Sequence, residues 1–232
     1  MHQERSNNFQ HLTVSKYLFR LRAESSIKLP LYKGSVLHGG FGHALKRISP
    51  FYYRQIFEPG SDGAKPKPFV LLPPLDTVEH YPDGHQFTCE LTLFGDAEEL
   101  FPICHAALEF LGREMGLGSN RGKFSIENLE RARPMCDNPL PLDAEPLTCQ
   151  GIAEACGDPV MHDRLTIHLP TRLRLKADSR LVSRPPEFHL FLARLLGRVN
   201  TLSSLYGGGK AVEPEGRNLL ISRARETIRI DH

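Results

Sequence analysis

The sequence predicts an α+β fold of tandem ferredoxin-like (RRM-like) domains, the second of them incomplete. Three observations carry that reading. Apolar residues switch between period two and a helical period in the order β-α-β-β-α-β over the first 131 residues, the ferredoxin-like pattern. A proline-rich stretch follows, and beyond it the order strand-helix-strand begins again. With 232 residues, 40% hydrophobic and 24% charged, the chain is long enough and ordinary enough in composition to bury two cores. The expected division is a first domain over 1–131, a connection over 132–162 and a partial β-α-β domain over 163–232.

The elements are justified in order. VSKYLFRLRAE at 14–24 alternates apolar and polar residues and reads as a strand. A helix starting at Gly34 places Leu37, Phe41, Ala44, Leu45 and Ile48 on one stripe, with Gly39, His43, Lys46 and Arg47 opposite, at about 100° per residue. FVLLPPL at 69–75 is a short strand closed by prolines. HQFTCELTLFG at 85–95 puts Phe87, Cys89, Leu91 and Leu93 on one face. The stretch 96–116 is helical, with Asp96 as N-cap and Glu99 three residues on. KFSIENLER at 123–131 alternates again. Five prolines (Pro134, Pro139, Pro141, Pro146, Pro159) break the connection, apart from a short helix near 150–156. RLTIHLPTRLRLK at 164–176 then gives the strongest strand signal. A helix from Pro185 to Tyr206 ends at three glycines, and NLLISRARETIRI at 218–230 reads as a final strand.

Composition excludes several classes. No window reaches the ~18 consecutive apolar residues of a membrane helix. The first ten residues, MHQERSNNFQ, lack the apolar core of a signal peptide. The expectation is a soluble, cytoplasmic protein with no membrane partner. The five cysteines form no CxxC pair, so neither a zinc site nor a disulfide framework is supported, and no metal or cofactor is expected. A formal net charge of +2 is modest, yet Lys and Arg outnumber Asp and Glu from Arg164 onward. That bias permits a nucleic-acid partner without requiring one.

The residues that could carry chemistry gather in three places. At 28–49 a basic loop, whose Lys33 is a candidate RNA contact, leads into a helix with three glycines, each costing roughly 1 kcal/mol relative to Ala. His43 beside Lys46 and Arg47, on a face stripped of side-chain bulk, would suit a phosphodiester. Tight packing of that helix on a sheet explains the glycines equally well. At 116–124, GLGSNRGKF could cradle phosphate on backbone amides beside Arg121 and Lys123, or simply cap a helix. Alternate strand residues lie about 6.6 Å apart, close to the phosphate spacing of RNA. Arg172, Arg174 and Lys176 thus form a ladder able to follow a backbone, as do Arg223, Arg225 and Arg229, for which a solvated outer face is the favoured explanation.

Four segments, taken together and in order, resemble the CRISPR-associated endoribonucleases of the RAMP superfamily that process precursor guide RNA. They are LPLYKGSVLHGGFGHAL (29–45), FTCELTLFGDAEELFPICHAALEFLG (87–112), MGLGSNRGKFSIENL (115–129) and LPTRLRLKADSRLVSRPPEFHLFLARLLGRVNTLSSLYGG (169–208). The resemblance implies metal-independent cleavage of CRISPR repeat RNA. The ribose 2′-hydroxyl attacks the adjacent phosphate, leaving a 2′,3′-cyclic phosphate and a 5′-hydroxyl. Such chemistry needs a base, a cation for the phosphorane and an acid for the leaving oxygen. Histidine suits either proton role because imidazole titrates near neutrality. The resemblance further implies His43 as base or acid, Tyr32 on the scissile phosphate and Lys46 on its charge, with Arg47 as substitute cation.

Two departures accompany it. Relatives often carry Arg where His38 stands, so His38 is either the working imidazole or a replaced phosphate contact. Relatives also usually continue beyond the position of His232, so the chain is either truncated or a short variant completed by a partner. Other CRISPR-associated subunits and a second copy of this chain are admissible partners. The alternative function is a catalytically inactive RNA-binding subunit of an effector complex. A ferredoxin-like assembly module without nucleic acid is a third reading, distinguished by its lack of salt-dependent RNA affinity.

Overall fold

The computed structural model describes residues 11–60, 65–133, 139–155, 157, 164, 166–171, 173–177, 180–182 and 185–228. Strand β1 (Thr13–Ala23) lies at the centre of the main sheet. It pairs antiparallel with β5 (Gln86–Phe94) on one side and β6 (Phe124–Ala132) on the other. The short β3 (Phe69–Leu72) pairs with β5. The order β3-β5-β1-β6, all antiparallel, is that of the ferredoxin-like fold. One further pair, β2 (Ile27–Lys28) with β4 (His80–Tyr81), ties the ends of the β1 and β3 connections together.

Alternation does what it should. Tyr17, Phe19, Leu21 and Ala23 of β1 and Phe87, Cys89, Leu91 and Leu93 of β5 are all buried on one face. Helix α1 (Gly34–Ile48) and helix α3 (Phe101–Phe110) cover that face with Leu37, Phe41, Ala44, Leu45, Cys104, Ala107 and Leu108. Helix α2 (Pro50–Phe57) packs beside α1 and contributes Ile56 and the ring of Phe57. Ile48, placed on the apolar stripe of α1, is instead exposed, because the chain turns at Ser49 into α2 and no element covers the last turn.

The helix expected over 96–116 forms in three pieces. Gly95, at φ 57°, turns the chain into a 3₁₀ segment, Gly95–Leu100. Pro102 lacks an amide hydrogen, so the α-helix starts only at Phe101. Asp96 makes no capping bond, and the residue preceding the segment is Phe94. After Phe110 the last turn widens to a π-turn, Leu111–Met115, closed by Gly116 N–H donating to the Leu111 carbonyl at 2.7 Å.

Part of the connection joins the sheet. β7 (Pro139–Leu140) pairs with the end of β6 and β8 (Leu147–Thr148) with the start of β1. The short helix α4 (Cys149–Ala155) follows, as expected.

The β-α-β order expected for 163–232 does not form among the described residues. The 164–176 strand is a correction for its described residues: Pro170 cannot donate to a ladder, Ile167, Leu169 and Leu173 are exposed, and only the end of the segment pairs. Only β9 (Lys176–Ala177) and β10 (Arg180–Leu181) pair, as a small hairpin. Helix α5 runs Phe188–Tyr206, starting three residues later than Pro185. The final strand is replaced by a helix, α6 (Pro214–Thr227). Pro214 is pre-set for a first helical turn, and Leu, Arg, Ala and Glu are good helix formers. Asn200 fixes the turn between α5 and α6, its amide donating to the Val212 carbonyl at 2.7 Å and its oxygen accepting from Val212 N–H at 2.8 Å. The end of α5 packs on the sheet domain, where the Tyr206 hydroxyl donates to the Pro66 carbonyl at 2.7 Å.

Candidate functional site

Two walls enclose an open groove of about 470 Å³. One wall is α1, contributing Val36, Gly40, His43, Lys46 and Arg47. The other runs from the π-turn into the following loop, contributing Leu111, Glu114, Met115, Gly116, Leu117, Gly118 and Arg121. His43, Lys46 and Arg47 are exposed and share the polar face that the helical period assigns them. Lys46 and Arg47 lie in the last turn, where cations complement the helix dipole. Lys46 also stands over the Tyr53 ring at 5.1 Å.

Contact explains two of the α1 glycines, Gly40 and Gly42. A Cβ at Gly40 would come within 3.0 Å of Leu111, so this position lets the two walls approach. A Cβ at Gly42 would meet the Phe57 ring at 2.9 Å. Gly39 meets nothing within 4 Å.

The loop wall is held rigidly. Leu117 and Gly122 exchange backbone hydrogen bonds of 2.8 and 3.0 Å. Asn120 clasps β2, accepting from Lys28 N–H at 2.9 Å and donating to the Ser26 carbonyl at 2.7 Å. Gly118 has φ 80°, and a Cβ there would lie 2.1 Å from the Lys28 carbonyl oxygen, so only glycine fits. Arg121 has φ 52°, the one left-handed non-glycine among the described residues. Such a conformation is sparsely populated and persists where surrounding structure enforces it. Among the described residues no carboxylate pairs with Lys46, Arg47 or Arg121, in contrast to the cations of the open sheet face. There Lys16 pairs with Glu90 at 2.8 Å, Arg20 with Glu130 at 3.4 Å and Arg22 with Glu127 at 3.1 Å.

The other sequence-derived candidates lie elsewhere. Lys33 is 1% exposed, and its ammonium donates to the Asp76 carbonyl at 2.7 Å and pairs with the Asp76 carboxylate at 3.3 Å. Expected as an RNA contact, it is a buried anchor instead, because β4 and the loop before it close over the start of α1. Tyr81 supports the pair, donating to Asp76 at 2.8 and 2.9 Å. Burial works against the Asp76 carboxylate, but the Tyr81 and Val78 hydrogen bonds and the Lys33 charge outweigh it and hold the carboxyl below its usual range. Tyr32 is 39% exposed and lies over Gly34, where a Cβ would sit 2.6 Å from its hydroxyl; it is not among the groove residues.

His38 faces away from the groove, half-buried against Phe57 at 5.0 Å and stacked on Phe69 at 5.6 Å. Burial, then the charge of Lys67, lowers its pKa. Lys123 turns to the far side of the loop and donates to the Glu114 carbonyl at 2.7 Å. Arg174 and Lys176 are exposed outside the groove, while Arg172 lies outside the described residues. Arg223 and Arg225 sit on α6 rather than on a strand, and Arg229 is not described.

Glu114 was missed by sequence reading. A regular helical period over 96–116 cannot foresee the π-turn that puts it on the groove wall. No group of three or more His, Cys, Asp or Glu able to hold a metal occurs among the described residues, and no helix there is long and apolar enough to cross a membrane.

No curated protein matches the chain. Solved structures similar to it include a Csm3–Csm4 subcomplex of a type III-A CRISPR-Cas interference complex, at 16% identity and TM-score 0.40, covering 51% of this chain and 78% of that one. A Cas6 product complex matches at 23% identity and TM-score 0.35, covering 50% of this chain and 39% of that one. A second CRISPR-associated Cas6 matches at 13% identity and TM-score 0.31, covering 54% of this chain and 51% of that one. The chain thus spans about half or less of both Cas6 chains. With all three scores below 0.5, the fold assignment rests on the strand order described above. A family model described as "AF_1859_N: N-terminal domain" matches residues 12–145, more than half of the sequence, and the chain belongs to that family.

Proposed function

We propose that this protein binds CRISPR repeat RNA in the groove between α1 and the loop after α3, and cuts it there without metal. The observation that carries this reading is the convergence of His43, Lys46, Arg47 and Arg121 on one groove, from two elements far apart in sequence. The segments resembling guide-RNA processing endoribonucleases include part of each wall: His43 in 29–45 and Arg121 in 115–129. In this reading Lys46, Arg47 and Arg121 hold the phosphate and stabilise the charge of the phosphorane. His43 transfers a proton to or from the reacting oxygens. The 2′-hydroxyl attacks in line, and the products are a 2′,3′-cyclic phosphate and a 5′-hydroxyl.

A second reading keeps RNA binding and drops cleavage, making the chain an RNA-holding subunit of an effector complex. The position of Tyr32 favours it, since the tyrosine expected at the scissile phosphate packs on Gly34 outside the groove. Incubating the CRISPR repeat RNA of the same genome with wild type and His43→Ala in EDTA decides between the two. Cleavage is expected for wild type at one position. His43→Ala should slow it about 100-fold or more, with affinity changed only a few-fold. Tight binding without a cut supports the second reading, and absence of binding contradicts both.

A further inference from the structure

The groove contains one group that its phosphate-binding cations do not explain. Glu114 lies on the wall opposite His43, at the widened end of α3. A carboxylate among Lys46, Arg47 and Arg121 works against binding an anion, so its presence there lowers affinity unless it has a task. The carboxylates beside the cations of the open sheet face and Lys33 are paired: Glu90, Glu127, Glu130 and Asp76 all hold ion pairs. Among the described residues the Glu114 carboxylate has no ion pair or hydrogen bond. Its backbone, in contrast, is fixed. The π-turn closes around it through Gly116 N–H and the Leu111 carbonyl, and its own carbonyl accepts from Lys123 at 2.7 Å. π-turns are rare and recur at functional positions.

Resting on the reading above, we propose that Glu114 is the general base for the ribose 2′-hydroxyl and that His43 is the general acid. Glu114 takes the proton from the 2′-oxygen as the O2′–P bond forms. The P–O5′ bond breaks, and protonated His43 gives its proton to the departing 5′-oxygen. The three cations stabilise the phosphorane between the two events. Two groups on opposite walls suit this in-line displacement, whose attacking and leaving oxygens lie on opposite sides of phosphorus. The ligand class follows: the groove requires a linkage with a free 2′-hydroxyl, hence RNA and not DNA.

The experiment uses the repeat RNA with sulfur replacing the bridging 5′-oxygen at the cut found for wild type. Sulfur leaves without a proton donor. On the ordinary linkage both Glu114→Gln and His43→Ala should slow cleavage about 100-fold or more. On the sulfur linkage His43→Ala should recover to within about 10-fold of wild type, while Glu114→Gln remains at least about 100-fold slow. RNA affinity of Glu114→Gln should be unchanged or higher, and its thermal unfolding unchanged. Wild-type cleavage with Glu114→Gln equally active overturns the assignment of Glu114 alone. Recovery of Glu114→Gln on the sulfur linkage also overturns it. If wild type cuts neither RNA, the nuclease reading fails and this assignment fails with it.

Discussion

At the scale of the residue, Lys33 and His38 show how burial reassigns groups that look reactive in sequence. The Lys33 ammonium is fully enclosed, and Asp76 supplies its counter-charge. Asp76→Asn should therefore destabilise the protein by about 3 kcal/mol, the low end for stranding a buried charge because Asp76 itself is partly solvated. Urea denaturation measures this. Since the folded carboxyl titrates below its ordinary value, the stability it contributes is complete above about pH 4 and fades as pH falls through the lower folded value. Asp76→Asn should remove that part of the acid sensitivity. His38 follows the same sign for a different reason. Its folded pKa lies below 6.5, so the unfolded chain takes up the proton first and stability declines as pH drops from about 6.5 toward the folded value. His38→Phe should flatten the stability profile in that range and leave RNA cleavage intact.

At the scale of the element, α1 offers an internal control. Gly39→Ala fills open space and should stabilise the protein by up to about 1 kcal/mol, the helix-propensity gain. Gly42→Ala drives a methyl into Phe57, which stacks on Tyr53 at 5.1 Å and packs on Phe69 at 5.1 Å. Overpacking should outweigh the propensity gain and give a net loss of about 1 kcal/mol. Thermal melts of the two variants should move in opposite directions.

The same helix marks what was legible in the sequence. Its length, its polar face and the place of His43, Lys46 and Arg47 follow from periodicity, as do β1, β5 and β6, because one buried face fixes their alternation. The groove itself was half legible. The loop glycines announced a turn, but only the docking of that turn on β2 brings Arg121 toward α1. In α6 the alternation of NLLISRARETIRI misled, since Leu219 and Leu220 are exposed and their spacing reports no buried face. Pro214 was the better signal. At 164–176 the pattern was strong, yet among the described residues only its end, Leu175 and Lys176, meets a partner strand, at β10.

At the scale of the whole molecule, the cations of the open sheet face and those of the groove differ in whether they are paired. The open sheet face carries Lys16, Arg20 and Arg22, each matched by a carboxylate. The groove carries Lys46, Arg47 and Arg121 without such partners among the described residues. Phosphate contacts release counterions, and each one on single-stranded RNA adds about −0.7 to the slope of log affinity against log salt. The central claim, that RNA lies in the groove, is tested most directly by measuring that slope for wild type and two double variants. Arg47→Ala with Arg121→Ala should reduce its magnitude by about 1.4. Arg20→Ala with Arg22→Ala should leave it unchanged. The reverse outcome, a slope carried by Arg20 and Arg22 and indifferent to Arg47 and Arg121, would place the RNA on the sheet and contradict the account.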